Sequence, residues 1–313
     1  MSNSIQAAPA VMMIRPVRFG ANPETAESNA FQQSDENSAS ELTQQNAINE
    51  FDAFYDLLKE NGIEVVVVQD TDDPHTPDSI FPNNWISFHE GNIVVKYPME
   101  AENRRFERRE DIVDILKEAG YTVSDVRDIS EPEKSGKYLE GTGSIVFDYD
   151  NKLAYANLST RTDEELLTNL CEELGFEPVI FHAYDQKYGK DVYHTNVVMC
   201  LAENFVVICL DAIPEEDHGM LLDKFEQTNK KVIAISYAQM NNFAGNMLEV
   251  INNEGESFTI MSKTAYDSLL EGQIKEIEKH STILTPSIPT IEKYGGGSVR
   301  CMLAGVWLEK NAN

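Results

Sequence analysis

Hydrophobic and polar positions follow one plan that repeats four times along the chain. Each repeat has two short apolar runs joined by a turn containing Asn or Gly, as in "ISFHEGNIVVKY". A stretch with apolar residues at three- and four-residue spacing follows, and then a third apolar run. This pattern predicts strand, tight turn, strand, helix and strand. The four predicted units span residues 84–129, 143–181, 196–237 and 246–288.

A fifth unit is divided between the two ends of the chain. The run "SVRCMLAGVWLE" predicts strands without a following helix, whereas "VMMIRPVRF", "INEFDAFYDLLKENG" and "IEVVVVQD" near the N-terminus predict a strand, a helix and a strand. Pairing the two ends would complete this unit and cover sheet edges that would otherwise stay open. We therefore expect one α/β domain over residues 1–313. It would be a closed, five-bladed β/α propeller with pseudo-fivefold repeats, its last blade closed by the N- and C-terminal segments. A conventional α/β sandwich with coincidentally regular spacing is the alternative.

Two stretches lie outside this plan. Residues 1–9 are expected to be flexible. Residues 20–46 are polar and lack apolar periodicity, which predicts either a flexible loop or a lid over the axis of the ring.

The composition limits the classes of partner. With 25 Lys and Arg against 53 Asp and Glu, the formal net charge is −28. Such a surface should repel nucleic acid and anionic membranes. No apolar run approaches the roughly 20 residues of a membrane span, and no basic leader precedes an apolar core at the N-terminus. We expect neither nucleic-acid nor membrane partners, while a homo-oligomer is compatible with the sequence.

The four cysteines fit neither a zinc site nor an obvious disulfide framework. Cys171 falls in a predicted amphipathic helix, and Cys200 and Cys209 fall in apolar strand-like runs. We interpret these three as buried structural thiols, and the cysteine usage favours the cytoplasm.

A closed ring would bring equivalent loops of all units together near its axis. The loops that precede each first strand are equivalent in this sense, and they span residues 78–84, 140–143, 194–196, 241–246 and 295–301. A carboxylate, an imidazole and a thiol that are distant in sequence are therefore expected to meet.

These three groups are Glu140 in "KYLEGTGS", His194 in "VYHTNVV" and Cys301 after "YGGGSVR". Taken singly, each is more often structural: a solvated loop acid, a structural histidine and a core thiol. A thiol reacts only as the thiolate, which needs a positive or proton-accepting neighbour. Cys, His and an acid at equivalent positions of three repeats form a nucleophile, base and orienter set.

The order "LEGTGS", "HTN", "GGGSVRCM" resembles the guanidine-modifying pentein superfamily, which includes arginine deiminases, dimethylarginine dimethylaminohydrolases and glycine amidinotransferases. The resemblance covers nearly the whole chain and implies the same five-bladed propeller. It implies that Cys301 is the nucleophile, His194 the general acid/base and Glu140 the acid partner. It also implies that Arg161 holds the substrate α-carboxylate and that Asp78 lies near the amino-acid end of the substrate. No metal or organic cofactor is needed.

The sequence departs from these relatives where they carry negative charge. Asn83 and Asn84 occupy positions where deiminase-like members clamp a guanidinium with acids, and Asn196 replaces the acid of a His-x-Asp motif. A guanidinium is cationic and only donates hydrogen bonds, whereas a neutral ureido group has a carbonyl acceptor and N–H donors that an amide can match. The motif "FPNNW" resembles that of citrulline-utilising hydrolases.

The resemblance and these amides together predict hydrolysis of citrulline to ornithine, carbon dioxide and ammonia, so the expected partner is a small amino acid. Asn83, Asn84 and Asn196 would position the ureido group. An arginine deiminase or a dimethylarginine-type hydrolase is the nearest alternative. A non-catalytic pentein binding protein is a further alternative, although a pure binder would have no reason to retain the Cys–His–Glu set.

Overall fold

Strands in the computed structural model, which describes residues 5–186 and 189–311, form five three-stranded sheets with one plan. In each sheet the first strand pairs antiparallel with the second, and the third runs parallel to the second. The sheets are Ile86–His89, Ile93–Lys96 and Asp125–Asp128 in unit 1; Val146–Asp148, Leu153–Asn157 and Glu177–Phe181 in unit 2; Met199–Leu201, Phe205–Ile208 and Lys231–Ala234 in unit 3; Leu248–Ile251, Ser257–Ile260 and Thr282–Leu284 in unit 4; and Ala304–Gly305, Ala10–Arg15 and Glu64–Gln69 in unit 5. A two-stranded hairpin, Tyr184–Asp185 with Lys190–Asp191, follows unit 2.

Helices connect the second and third strands of every unit. They are Ile112–Glu118 in unit 1, Glu164–Leu174 in unit 2, Glu215–Gln227 in unit 3, Lys263–Ser268 and Glu271–Ile277 in unit 4, and Glu41–Glu60 in unit 5. The periodicity of unit 4 predicts one helix, but the structure has two. The break falls at Leu269 and Leu270, which are both extended, and the Gln273 side chain accepts the Leu270 N–H at 2.8 Å where the second helix begins.

Unit 5 joins the two ends of the chain as predicted. Val11 pairs with Gly305 and Met12 with Ala304, while residues 64–69 extend the same sheet on the other side. Isolated bridges from Ala8 to Val250 and from Phe88 to Val306 link this sheet to those of units 4 and 1. The α/β fold is therefore confirmed, and its closure into a complete propeller stays a prediction.

Residues 1–9 were expected to be flexible, and residues 1–4 lie outside the described residues. Beyond them, the indole N–H of Trp307 donates to the Ile5 carbonyl at 2.7 Å, and the buried Gln6 side chain donates to the carbonyls of Phe147 and Leu201. These bonds attach residues 5 and 6 to units 2, 3 and 5.

The unit 5 helix begins earlier than its apolar pattern predicts. It starts at Glu41 because the Ser40 side chain accepts the Thr43 N–H at 3.2 Å and Glu41 places a negative charge in the first turn. The polar residues 41–46 are thus helical, which corrects their assignment to the loop or lid that begins at residue 20.

Buried apolar side chains fix the segment that carries Cys301. Phe51, Phe54 and Leu58 of the unit 5 helix belong to the same core cluster as Cys301 and Val299. Each fully buried side chain of this size contributes roughly 1.5–3 kcal/mol. The nucleophile candidate therefore lies on a rigid, well-packed segment.

The other three cysteines are buried and free, as predicted. Burial raises the pKa of Cys171 and Cys200 to about 12 and that of Cys209 to about 11. They remain thiols at neutral pH. Of the helices described, none is both long and apolar enough to cross a bilayer.

Candidate active site

Short helical turns place the predicted site residues at the start of their units. Asn83 and Asn84 lie in the 3-10 turn Pro82–Asn84, Glu140 precedes the turn Gly141–Ser144, and His194 precedes the turn Thr195–Val198. Cys301 follows the helix Pro289–Gly295.

These turns meet around one pocket, whose cavity volume is about 20 Å³. Its lining residues are Thr25, Asn29, Asp78, Phe81, Asn84, Arg104, Arg161, Tyr193, His194, Gly295, Gly296, Gly297 and Cys301. Glu140 contacts His194 and Arg161 of this lining and Asn196 contacts Cys301, whereas Asn83 is outside the lining and adjoins it through its chain neighbour Asn84. The residues that the sequence singled out are therefore brought together.

Glu140 and His194 form a buried pair. His194 Nε2 lies 2.8 Å from Glu140 Oε2, and the two side chains are 3% and 0% exposed. Burial by itself would raise the pKa of Glu140, but the Arg161 guanidinium and the His194 hydrogen bond outweigh it and hold that pKa well below its usual value. Glu140 is therefore a carboxylate.

Burial lowers the pKa of His194, and the Glu140 carboxylate offsets this only in part. The imidazole is then neutral at neutral pH, with its Nε2–H donated to Glu140 and its Nδ1 left as an acceptor. A Cβ on Gly143 would lie 2.9 Å from this Nδ1 and 2.4 Å from the Asn84 side-chain nitrogen. Because residue 143 is a glycine, the Asn84 amide and the His194 imidazole can both pack against its backbone without a steric clash.

Two amides approach the Cys301 sulfur. Asn246 Nδ2 lies 3.4 Å and Asn196 Nδ2 lies 3.7 Å from Sγ. Asn246 also accepts the Arg300 N–H at 3.0 Å and donates to the Asn196 carbonyl at 3.1 Å. Asn246 therefore connects the turn that carries Cys301 to the unit 3 loop that contains Asn196. The sequence analysis predicted that the loop 241–246 lies near the axis, but it did not identify Asn246 as a site residue.

The glycines before Cys301 allow this segment to pack closely against the loop 78–84, which contains Phe81. Gly296 ends the preceding helix at a φ of 64°, a left-handed conformation that favours glycine. A Cβ on Gly295 would come within 2.7 Å of the Phe81 ring.

Arg161 and Asp78, the two residues expected at the amino-acid end of a substrate, both contact the segment 20–40. Arg161 bonds to Glu100 at 3.1 Å, to Glu140 at 3.4 Å and to the Ser28 hydroxyl at 2.6 Å. Asp78 Oδ2 accepts from Asn22 at 2.8 Å, and burial raises its pKa. The polar segment thus lies over this end of the pocket.

Sequence reasoning missed a second buried ion pair. Arg104 donates to Glu107 through two bonds of 2.9 Å, and its Nη1 donates to Asn84 Oδ1 at 2.9 Å. Both side chains lie in "ENRRFERRE", a charge run that is typical of a solvated surface. Their spacing of three residues was the available signal, but it does not distinguish them from their exposed neighbours.

Several buried polar atoms of the predicted site residues have no partner in the part of the chain that the structure describes. They are Asp78 Oδ1, Asn83 Oδ1 and Nδ2, Asn84 Nδ2 and Asn196 Oδ1. An unsatisfied buried polar group costs about 1–3 kcal/mol, so such a concentration is typical of a ligand site. Over residues 5–186 and 189–311, no three His, Cys, Asp or Glu side chains are grouped to hold a metal ion.

Residues 15–308 match a family model described as N,N dimethylarginine dimethylhydrolase, eukaryotic. A search of curated proteins found no match.

Solved structures of low sequence identity share the fold. ArgZ, an arginine dihydrolase from the ornithine–ammonia cycle in cyanobacteria, is 18% identical, with a TM-score of 0.73 over 94% of this chain and 40% of its own. The chain thus spans about two-fifths of full-length ArgZ. The substrate-bound N-terminal domain of ArgZ gives 18% identity and a TM-score of 0.71, over 94% of this chain and 96% of that domain. A dimethylarginine dimethylaminohydrolase adduct with S-methyl-L-thiocitrulline gives 15% and 0.65, over 95% and 98%. The α/β fold is that of pentein enzymes.

Proposed function

This chain belongs to the N,N-dimethylarginine dimethylhydrolase family, a group of arginine-modifying hydrolases that act on carbon–nitrogen bonds, and from that premise we propose that it hydrolyses the ureido group of citrulline. The products would be ornithine, carbon dioxide and ammonia. The observation that carries the proposal is the pair of neighbouring amides, Asn83 and Asn84, of which three polar atoms are buried and lack a hydrogen-bond partner among the described residues.

The proposal includes a single catalytic domain whose five sheets close into a ring. Support comes from the bridges that link the unit 5 sheet to its neighbours and from the loops before the first strands of units 1, 3 and 5, which all line one pocket. The free cysteines support a cytoplasmic enzyme, and its partner would be the amino-acid substrate.

In the proposed mechanism, His194 Nδ1 takes the proton of the Cys301 thiol, and the thiolate attacks the ureido carbon. The carbon–nitrogen bond to the substrate side chain then breaks, and His194 gives its proton to the departing amine, which leaves as ornithine. The carbamoyl group remains on the sulfur. His194 next activates a water molecule that releases carbamate, which decomposes to carbon dioxide and ammonia.

Glu140 would orient the imidazole and stabilise its protonated form, because its carboxylate is buried and lies 2.8 Å from Nε2. Asn246 and Asn196 would hold the sulfur, toward which both direct an N–H. These roles need no group beyond the side chains described and one water molecule.

A neutral substrate fits this pocket better than a cationic one. A guanidinium against Asn83 and Asn84 would lose the charge compensation that a carboxylate gives, at a cost of several kcal/mol in principle. The alternative, arginine or a methylated arginine, is favoured by the family description and by the names of the similar structures.

Turnover of citrulline, arginine and dimethylarginine by the purified protein tests the proposal, with ornithine and citrulline quantified separately. We expect ornithine from citrulline and none from a Cys301→Ser variant. Faster turnover of arginine would favour the alternative, and no turnover of any of the three would favour a binding protein. An Asn84→Asp variant should shift preference toward the cationic substrates, because it restores a carboxylate.

A further inference from the structure

Glu292 is a buried acidic side chain just before the glycines that lead to Cys301. It lies in the helix Pro289–Gly295 and is 5% exposed. Among residues 5–186 and 189–311, its side chain is bonded by hydroxyl groups and forms no ion pair with a Lys, Arg or His. A buried charge without a cation is costly, so the hydroxyl groups must supply the compensation.

These hydroxyl groups reach both carboxylate oxygens. The Ser298 hydroxyl donates to Oε1 at 2.7 Å, and the Thr264 hydroxyl donates to Oε2 at 2.6 Å. Burial raises the pKa of Glu292, and the hydrogen bonds from Ser262, Thr264 and Ser298 lower it. Hydrogen bonds to an ionised acceptor are the stronger kind, so the carboxylate holds the Ser298 side chain firmly.

Ser298 begins the turn that carries the thiol. It is fully buried, and its carbonyl accepts the Cys301 N–H at 3.0 Å. The three residues before it, 295–297, are glycines, whose backbone has more freedom than that of any other residue type. The hydrogen bond from Ser298 to Glu292 spans these glycines and ties the turn to the preceding helix.

The helix that carries Glu292 is itself anchored. The Glu50 carboxylate, on the unit 5 helix, accepts the Thr290 N–H at 2.9 Å and the Ile291 N–H at 3.0 Å. The bonds therefore run without a gap from the unit 5 helix through Glu292 and Ser298 to the backbone of Cys301.

We propose that Glu292 is a positioning residue for the nucleophile, because its carboxylate fixes Ser298 and so sets where the Cys301 sulfur meets His194. This inference rests on the role of Cys301 in the proposed function. Glu292 is absent from the lining of the pocket and acts through Ser298. A misplacement of about 1 Å at a reacting group can cost about 100-fold in rate, and supporting hydrogen bonds of this kind hold such geometry.

Ser298→Ala removes the hydroxyl group and leaves the pocket lining unchanged. We expect the kcat for ornithine release to fall about tenfold, with little change in KM. Glu292→Ala should have the same effect, and adding Ser298→Ala to it should cause no further loss, which completes a double-mutant cycle. Glu292→Gln keeps an oxygen for Ser298 and can turn its NH₂ group to Thr264, so this conservative variant should retain most of the kcat.

Thr264→Val is the matched control. It removes the hydrogen bond to the other oxygen of the same carboxylate with little change of shape, but Thr264 lies on the unit 4 helix Lys263–Ser268. It should lower stability in urea as Ser298→Ala does, and leave the kcat unchanged. The pair separates the position of the turn from a general loss of stability.

Alkylation of Cys301 by iodoacetamide gives a second readout that needs no substrate. The modified peptide is quantified by mass spectrometry, which distinguishes Cys301 from the other cysteines. A thiol displaced from the His194 base forms less thiolate and reacts more slowly. We expect Ser298→Ala to slow the alkylation about tenfold and Thr264→Val to leave it unchanged. If Glu292→Ala does not fold, these two variants carry the test.

Equal losses of kcat in Ser298→Ala and Thr264→Val, or alkylation in Ser298→Ala as fast as in the wild type, would overturn the inference. Slower alkylation in Ser298→Ala, in a protein that does not turn over citrulline, would refute the proposed substrate and support the role of Glu292. Citrulline turnover that Ser298→Ala leaves unchanged would refute only the role of Glu292.

Discussion

Replacing Glu140 by Gln changes one atom and removes the charge that supports His194. Glutamine can still accept a hydrogen bond across the 2.8 Å that separates Nε2 from Oε2. A bond to a charged group is worth about 1.5–3 kcal/mol and a neutral one about 0.5–1.5 kcal/mol. The protonated imidazole therefore loses about 1–2 kcal/mol, which corresponds to a fall in kcat of roughly 5- to 30-fold if that form is present in the transition state.

The dependence of kcat on pH in Glu140→Gln should show in which direction the pKa of His194 moves. Burial lowers the pKa of His194, and the Glu140 charge is what raises it against burial. Without that charge the pKa falls further, so the part of the profile that depends on protonated His194 should move to lower pH. Ornithine release measured across the neutral range would give kcat and KM at each pH, and KM should change less than kcat.

Glu100→Gln is the matched control for this experiment. Glu100 bonds to Arg161 at 3.1 Å, as Glu140 does at 3.4 Å, but among the described hydrogen bonds it is Glu140, not Glu100, that bonds to His194. This variant should leave the pH profile in place. An unchanged profile in Glu140→Gln, or an equal shift in both variants, would refute the reasoning that the direct contact governs the imidazole.

Three further predictions concern the thiol, the response to acid and the segment over the pocket. Asn246→Ala removes the N–H group 3.4 Å from the Cys301 sulfur, so kcat should fall about tenfold with little change in KM; an unchanged kcat in steady-state assays would contradict this. Burial lowers the pKa of His89 from 6.5 to about 3, so the folded state should lose stability as pH falls through that interval, by up to ~1.4 kcal/mol per pH unit. Urea denaturation should show a flatter pH dependence for His89→Gln, and equal slopes would exclude His89 as the cause. Asn22→Ala removes the bond to Asp78 and should speed hydrogen exchange in residues 20–40 and raise KM; unchanged exchange would show that this bond does not hold the segment.

The repeated plan of the fold could be predicted because its signals are local. The turns containing Asn or Gly and the spacing of apolar residues recur within each unit, and the strands lie where those signals predict them. The meeting of Glu140, His194 and Cys301 followed from their equivalent positions in the repeats. A pattern that recurs five times specifies a spatial arrangement that no single motif could.

The ion pair of Arg104 and Glu107 could not be predicted in the same way. Five of the nine residues 102–110 are acidic or basic neighbours of this pair, and they stay partly or fully solvated. Arg104 and Glu107 are buried because Arg104 contacts Phe81 and Asn84 in the loop 78–84, which lies about 20 residues earlier in the sequence. The orientation of the Asn84 amide has the same origin, because its partner lies 20 residues away and its residue type allows both orientations. The early start of the helix at Glu41 depended on one cap, Ser40, within a polar stretch.

The division of unit 5 between the chain ends has a consequence for synthesis. During translation the strand Ala10–Arg15 can pair with Glu64–Gln69 early, but its other edge stays bare until Ala304–Gly305 leaves the ribosome. Closing a loop of almost the whole chain costs about 5 kcal/mol in entropy, which the core around Cys301 must offset. Within residues 1–313 the Cys301 thiol is synthesised after Glu140 and His194, so the proposed site can be completed only once residue 301 has left the ribosome.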